Sequence, residues 1–233
     1  MSVAPRLVAD LRANQRAADA RSSGAYEELL GIVALPFDQA EEQVVGVMRD
    51  FIVRHDNALA ELWASHARNE YVGATAISAG LLPLAPIELY RSVERHVRDE
   101  FRHSRYFRAL AKLETGVWPE FHCGQLRARA LAEASGANNL LEFLIATNVA
   151  EIRTYYLLRA YIAVAPRHMR TRHGRTVLER ILLDEMSHIA YTLTAIQQIS
   201  PTVTAKLIER FQWYQRHLSS LYLRDWPDPT KSG

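Results

Sequence analysis

The chain has 233 residues, 48% of them hydrophobic and 23% charged, which is enough apolar material for a buried core and excludes disorder as the main state. Its formal net charge of +2 lacks the strong basic excess of nucleic-acid binders, so no nucleic acid is expected as a partner. A single cysteine, Cys123, excludes an internal disulfide and any multi-cysteine metal module. No apolar run approaches the roughly 18 residues of a membrane span, so no membrane partner and a cytoplasmic location are expected.

The first 23 residues alternate Ala, Arg and Asp without an apolar centre and are not expected to form a secretory leader. Residues 1–37 read as a peripheral extension. Pro36 is a predicted break, and Asp38, three residues before Glu41, is a predicted capping box opening the first long helical stretch. That stretch runs to about Gly80, too long for one ordinary helix, with a predicted break near His55–Asn57. A second helix is predicted from about Pro86 to Glu114, with the proline tolerated in its first turn. Residues 115–137 form a long connection holding one short helix over 125–133. Two further helices are predicted over about 138–164 and 174–199, separated by the Pro166–Gly174 turn. Pro201 opens a final helix ending near Trp226 and Pro227.

These segments carry helical apolar periodicity, and no strand-like alternation stands out, so the fold class is all-α. Two long hairpins joined by a crossover of about 20 residues match the layout of a ferritin-like four-helix bundle. The expectation is therefore one domain over 1–233, with the core bundle at about 57–199 and extra N- and C-terminal helices. Residues 1–37 and 225–233 are expected at its periphery.

The chemistry lies in a repeated motif. The helix after Pro86 contains Asp99-Glu100-Phe101-Arg102-His103, and the helix after Gly174 contains Asp184-Glu185-Met186-Ser187-His188. Residues three apart share a helix face, so each Glu–His pair can aim at one metal ion. Glu-x-x-His alone occurs by chance about once in such a composition, but two copies preceded by Asp, each in the second helix of its hairpin, do not. A dinuclear centre needs one more carboxylate from each first helix. Glu151 lies level with Glu185 about the turn near residue 168, whereas Glu142 lies too far along the helix. In the first hairpin, Glu70 and Glu61 both fit the register with Glu100. Glu70 shares a face with Leu59, Trp63, Ala67, Ala74 and Ile77, whereas Glu61 lies with Arg54, Asn57, Ser65 and Arg68; Glu70 is chosen.

The expected ligand set is Glu70, Glu100, His103, Glu151, Glu185 and His188. Four carboxylates balance two divalent cations, and this carboxylate-rich donor set with two histidines suits two Fe ions, with Mn as the alternative. Asp99 and Asp184 are placed behind the histidines as acceptors for their remaining N–H. The arrangement resembles the ferritin-like diiron-carboxylate superfamily, and Asp99-Glu100-x-Arg102-His103 matches its Asp-Glu-x-Arg-His form, familiar from bacterial multicomponent monooxygenases and acyl-carrier-protein desaturases. The second copy departs from it, with Ser187 where Arg would stand. Residues 66–78 and 94–107 are similar to tRNA isopentenyladenosine hydroxylases, and 144–199 are distantly similar to aldehyde-deformylating oxygenases. The motif position of Arg102 implies a place beside the ligands.

These readings point to a non-haem diiron oxygenase or oxidase that activates O2 (Fe2+/Fe3+) to oxidise a small organic substrate by hydroxylation, N-oxygenation or a related reaction. The expected partners are the substrate, O2 and an external electron donor or reductase, with a homodimer as an open option. The competing reading is a ferroxidase or rubrerythrin-like peroxidase with no organic substrate. Tyr155, Thr154 and Thr147 flank Glu151 and are the candidate proton-handling side chains. Their alternatives are core packing for the tyrosine and bonds back to the helix for the threonines; Tyr191, near His188, is weighed in the same way. His96, one turn below Glu100, and His66, near Glu70, read as core histidines, with a place behind the ligands as the alternative. Arg91, Arg95, Arg98, Arg102 and Arg105 read as a solvated outer face, with docking of an acidic carrier or RNA as the alternative. Cys123 is a non-ligand.

Overall fold

The computed structural model describes residues 6–14, 24–134 and 139–224, and the tail expected at 225–233 lies outside them. Every regular element among the described residues is helical: α1 (Arg6–Ala13), α2 (Gly24–Arg54), α3 (Ala58–Ala76), α4 (Ile87–Thr115), α5 (Cys123–Ala134), α6 (Leu140–Val164), α7 (Gly174–Ile199) and α8 (Ala205–Arg224). None is long and apolar enough to cross a membrane. They form two compact units. One comprises the described residues of Met1–Met48, Leu144–Tyr161 and Leu182–Gly233, the other those of Arg49–Phe143 and Ile162–Ile181.

Two sequence expectations are corrected in α2. The helix runs unbroken through Pro36. An internal proline removes the hydrogen bond to the carbonyl four residues back and crowds it, but here Ile32, Leu35 and Pro36 are all exposed, so the freed carbonyl side faces water. Asp38 therefore caps nothing; its Oδ1 accepts a bond from the Tyr156 hydroxyl at 3.3 Å. The described part of 1–37, expected at the periphery, contributes buried side chains to its unit. Leu7, Val8, Tyr26, Leu29, Leu30, Val33, Ala34 and Phe37 are buried, and those on α2 recur at the three- and four-residue spacing of one helix face.

The break at His55–Asn57 is as expected. Asn57 adopts φ 64°, in the left-handed region, where asparagine is tolerated better than residues with bulkier side chains. Its carbonyl accepts the Glu61 N–H at 3.0 Å, the first bond of α3.

In the second unit α3 packs along α4, joined by a short connection that contains a π-turn at Ile77–Leu81 and a 3-10 turn at Leu82–Leu84. The cross-helix contacts are symmetric about this turn. Trp63 stacks on Phe107 at 5.8 Å, the Ser104 hydroxyl donates to the Ala67 carbonyl at 2.6 Å, and Tyr71 meets Phe101 at 5.6 Å. Helix α5 covers another side of α3, where Val72, Ala76, Leu126 and Ala130 form a small apolar cluster against Tyr71 and Phe121. Gly116, at φ 79°, ends α4 with its N–H on the Lys112 carbonyl, a left-handed cap. The segment beyond it is held to α4 by Arg108 over Phe121 at 4.6 Å and Lys112 over Trp118 at 4.5 Å.

The positive φ at Asn57 gives a direct test. Replacing Asn57 by Val is expected to lower unfolding stability by about 1–2 kcal/mol, while Asn57→Gly keeps it within about 1 kcal/mol; urea unfolding of both variants measures the difference.

Candidate metal centre

In the second unit the buried stripe of α3 is Leu59, Trp63, Ala67, Glu70 and Ala74, continued by Ile77 in the π-turn, so helical spacing alone carries Glu70 into the interior; Glu61 is exposed. The matching stripe of α4 is Leu89, Val93, His96, Glu100, His103 and Phe107. Glu100 and His103, which are 5% and 0% exposed, thus sit in a run that packing would otherwise fill with aliphatic residues. One ligand atom from each of Glu70, Glu100 and His103 lies within 4.8 Å of the others. His103 Nδ1 is 3.6 Å from Glu100 Oε1, and His96 Nε2 is 3.3 Å from the same oxygen. Gly73 leaves space on α3 beside this carboxylate: a Cβ built there would stand 3.8 Å from Glu100 Oε2.

The first unit holds the second cluster. Glu151 on α6 and Glu185 and His188 on α7 are all buried, Glu185 completely. His188 Nδ1 lies 3.0 Å from Glu185 Oε2 and 3.9 Å from Glu151 Oε2. One turn before Glu151, Asn148 crosses from α6 and donates through Nδ2 to the Ile189 carbonyl at 3.0 Å and to Thr192 Oγ1 at 2.8 Å. Thr192 Oγ1 in turn donates to the His188 carbonyl at 2.7 Å. Asn148 and Thr192 hold α6 and α7 in register beside Glu151 and His188, a role not assigned from sequence. The available signal was a fully buried-type position filled by an amide on the Glu151 face.

In each cluster two carboxylates share a buried place with at least one imidazole. A carboxylate removed from water is costly unless a cation or hydrogen bonds compensate it. Hard carboxylate oxygens beside imidazole nitrogens are a donor set that binds first-row divalent metals. These buried His and Glu groups could therefore hold a metal ion.

The surrounding residues divide clearly. Arg102 Nη1 pairs with buried Asp99 at 2.7 Å, so Arg102 turns from the arginine stripe to the carboxylate preceding Glu100. Asp184 is buried as well. Arg91, Arg95, Arg98 and Arg105 are exposed, and Arg98 pairs with Glu94 at 3.3 Å. His66 is half-buried with its ring 5.1 Å from Phe107. His96 is fully buried, with its Nε2 3.3 Å from Glu100 Oε1. Glu142 lies in the first turn of α6, where Asn139 Oδ1 accepts its backbone N–H at 3.0 Å, and Cys123 is exposed.

Thr147 is buried and Thr154 half-buried. Tyr155 is fully buried, and its hydroxyl donates to Asp10 Oδ2. Arg159 Nη1 also reaches Asp10, at 3.1 Å, while Arg159 Nε binds Glu41 at 2.8 Å. Burial first, and then the bond to Asp10, raise the Tyr155 pKa above its ordinary value, with Arg159 acting in the opposite direction. The phenol therefore stays protonated and committed to Asp10. The sequence placed Tyr155 correctly on the Glu151 helix but contained no sign of Asp10, 145 residues away.

Metal binding by these buried groups has a thermal signature. With free Mn2+ at about 100 times its Kd, linkage adds ~2.7 kcal/mol, or about 5–10 °C in Tm for a chain of this size. Scanning calorimetry is expected to show that rise in the native protein and its loss in Glu185→Ala.

Comparison of the chain with protein-family models, with curated proteins and with solved structures finds no match.

Proposed function

We propose that Glu70, Glu100, His103, Glu151, Glu185 and His188 together hold a pair of iron ions, in a ferritin-like arrangement of two helical hairpins. On this reading the protein is an O2-dependent oxidoreductase acting on a small organic substrate by hydroxylation, N-oxygenation or a related reaction. The observation that carries the reading is the pair of Asp-Glu-x-x-His segments, each with a buried Glu–His pair and a further buried carboxylate beside it.

Once bound, the iron pair supplies the redox chemistry that activates O2. The chain's own residues supply charge balance, orientation and exclusion of water. Four glutamates offset two divalent cations, which removes the cost of burying them together. His103 and His188 add neutral nitrogen donors, and their burial limits access of bulk water to the donor atoms. Arg102 pairs with Asp99 within α4 and so holds that carboxylate next to Glu100. Thr147 and Thr154, on either side of Glu151, are hydroxyls able to pass a proton within this site. Repeated turnover calls for electrons from an external donor or reductase, since the chain contains no multi-cysteine cluster motif. Mn is the alternative metal for the same ligands.

The test is to load the protein with Fe(II) without oxygen, admit O2, and follow iron by Mössbauer spectroscopy and O2 by electrode. About two irons per chain oxidising in step with O2 uptake, and reductant-dependent oxygenation of a member of a small-molecule panel, are the expected outcomes. Absence of bound iron overturns the reading. Iron oxidation with no organic product across the panel assigns the protein to iron or peroxide handling instead.

A further inference from the structure

We propose that His96 is a third imidazole ligand of the metal pair, so that the two metal positions are unequal. This rests on the metal-binding reading above and extends it by a residue outside the repeated motif.

The case begins with helix geometry. Side chains on a helix lean toward its N-terminus, so Glu100 reaches back over the turn containing His96, just as His103 reaches back over Glu100. Both imidazoles accordingly converge on one carboxylate oxygen. His96 Nε2 is 3.3 Å and His103 Nδ1 3.6 Å from Glu100 Oε1. His96 presents its distal nitrogen, as a ring reaching from four residues before must, while the motif histidines present Nδ1 from three residues after. The donor atom of His96 is thus nearer to this oxygen than that of the motif histidine on the same helix.

The internal repeat supplies a control. Four residues before Glu185, where His96 stands relative to Glu100, the second copy has Ile181, a fully buried aliphatic residue. Packing at that position is therefore met by an isoleucine. A fully buried histidine in its place adds a polar ring that must be satisfied, and it brings a metal-binding nitrogen to a carboxylate already expected to ligate. Three imidazoles cannot be shared equally by two metals. His96 would add a neutral donor to one of the two metal positions, leaving the other with fewer imidazole nitrogens.

Zinc is a diamagnetic probe that such N/O donor sets accept. In zinc-loaded protein labelled with 15N-histidine, three of the nine histidines are expected to show the shift of a metal-bound ring nitrogen. His96→Gln is expected to leave two such signals, and His66→Gln three. Anaerobic Fe(II) titration of His96→Gln is expected to weaken one of the two metal equivalents by ~10-fold or more, since even the outer partners of a ligand contribute about 10–100-fold. Should His96→Gln fail to fold, His96→Asn and the signal count in the wild-type protein still decide. Two zinc-bound histidines in the wild-type protein, or three that persist in the His96 variant, overturn this inference and leave the six-residue site intact. A wild-type protein that binds neither zinc nor Fe(II) overturns both.

Discussion

A carboxylate buried among apolar helices must find a positive or hydrogen-bonding partner, and this constraint organises both units. Glu100 and Glu185 are 5% and 0% exposed, each on a helix face that also buries aliphatic residues such as Val93 and Ile181. Neither position follows from core packing. Imidazoles three residues on, and a second carboxylate on the partner helix of the same unit, turn an unfavourable burial into a donor set. The same donors that would destabilise an empty helical core become favourable once divalent charge is shared among them.

Such a centre also demands that helices be held in register, because ligand atoms must meet within a few tenths of an ångström. Each unit has a buried polar contact serving that need. Ser104 on α4 donates to the Ala67 carbonyl of α3, one turn from both Glu70 and Glu100. Asn148 on α6 bridges to Ile189 and Thr192 of α7, beside His188. A buried amide or hydroxyl tolerates little slippage, since a shift of one turn leaves it without its partner. Apolar contacts such as Trp63 on Phe107 add burial but discriminate less sharply between neighbouring registers.

Within the first unit a second polar system surrounds the α6 tyrosines. Tyr155 and Tyr156 lie side by side with ring centroids 5.0 Å apart, their hydroxyls directed to Asp10 and Asp38 respectively. Burial leads the factors that raise both phenol pKa values, with Asp38 adding to the effect on Tyr156. Arg159 balances the acidic side of the system through Asp10 and Glu41, and Glu41 also receives Arg6 at 2.7 Å. This network ties α1, α2 and α6 together, alongside the burial of Leu7 and Val8 on α1 and of Tyr26, Leu29 and Leu30 on α2.

Much of the helical layout was legible in the residues. The spacing of apolar positions located α4, α6 and α7, a left-handed Asn57 marks the predicted break, and stripe membership separated buried Glu70 from exposed Glu61. The repeated Asp-Glu-x-x-His likewise identified its own helix faces, because a 3.6-residue period converts spacing into direction. Tertiary structure alone decided the rest. Pro36 was tolerated because its face of α2 meets water, which local sequence does not encode. Asp38 became an acceptor for Tyr156 because two segments 118 residues apart pack together. Periodicity determines which face a residue occupies; only packing determines what that face meets.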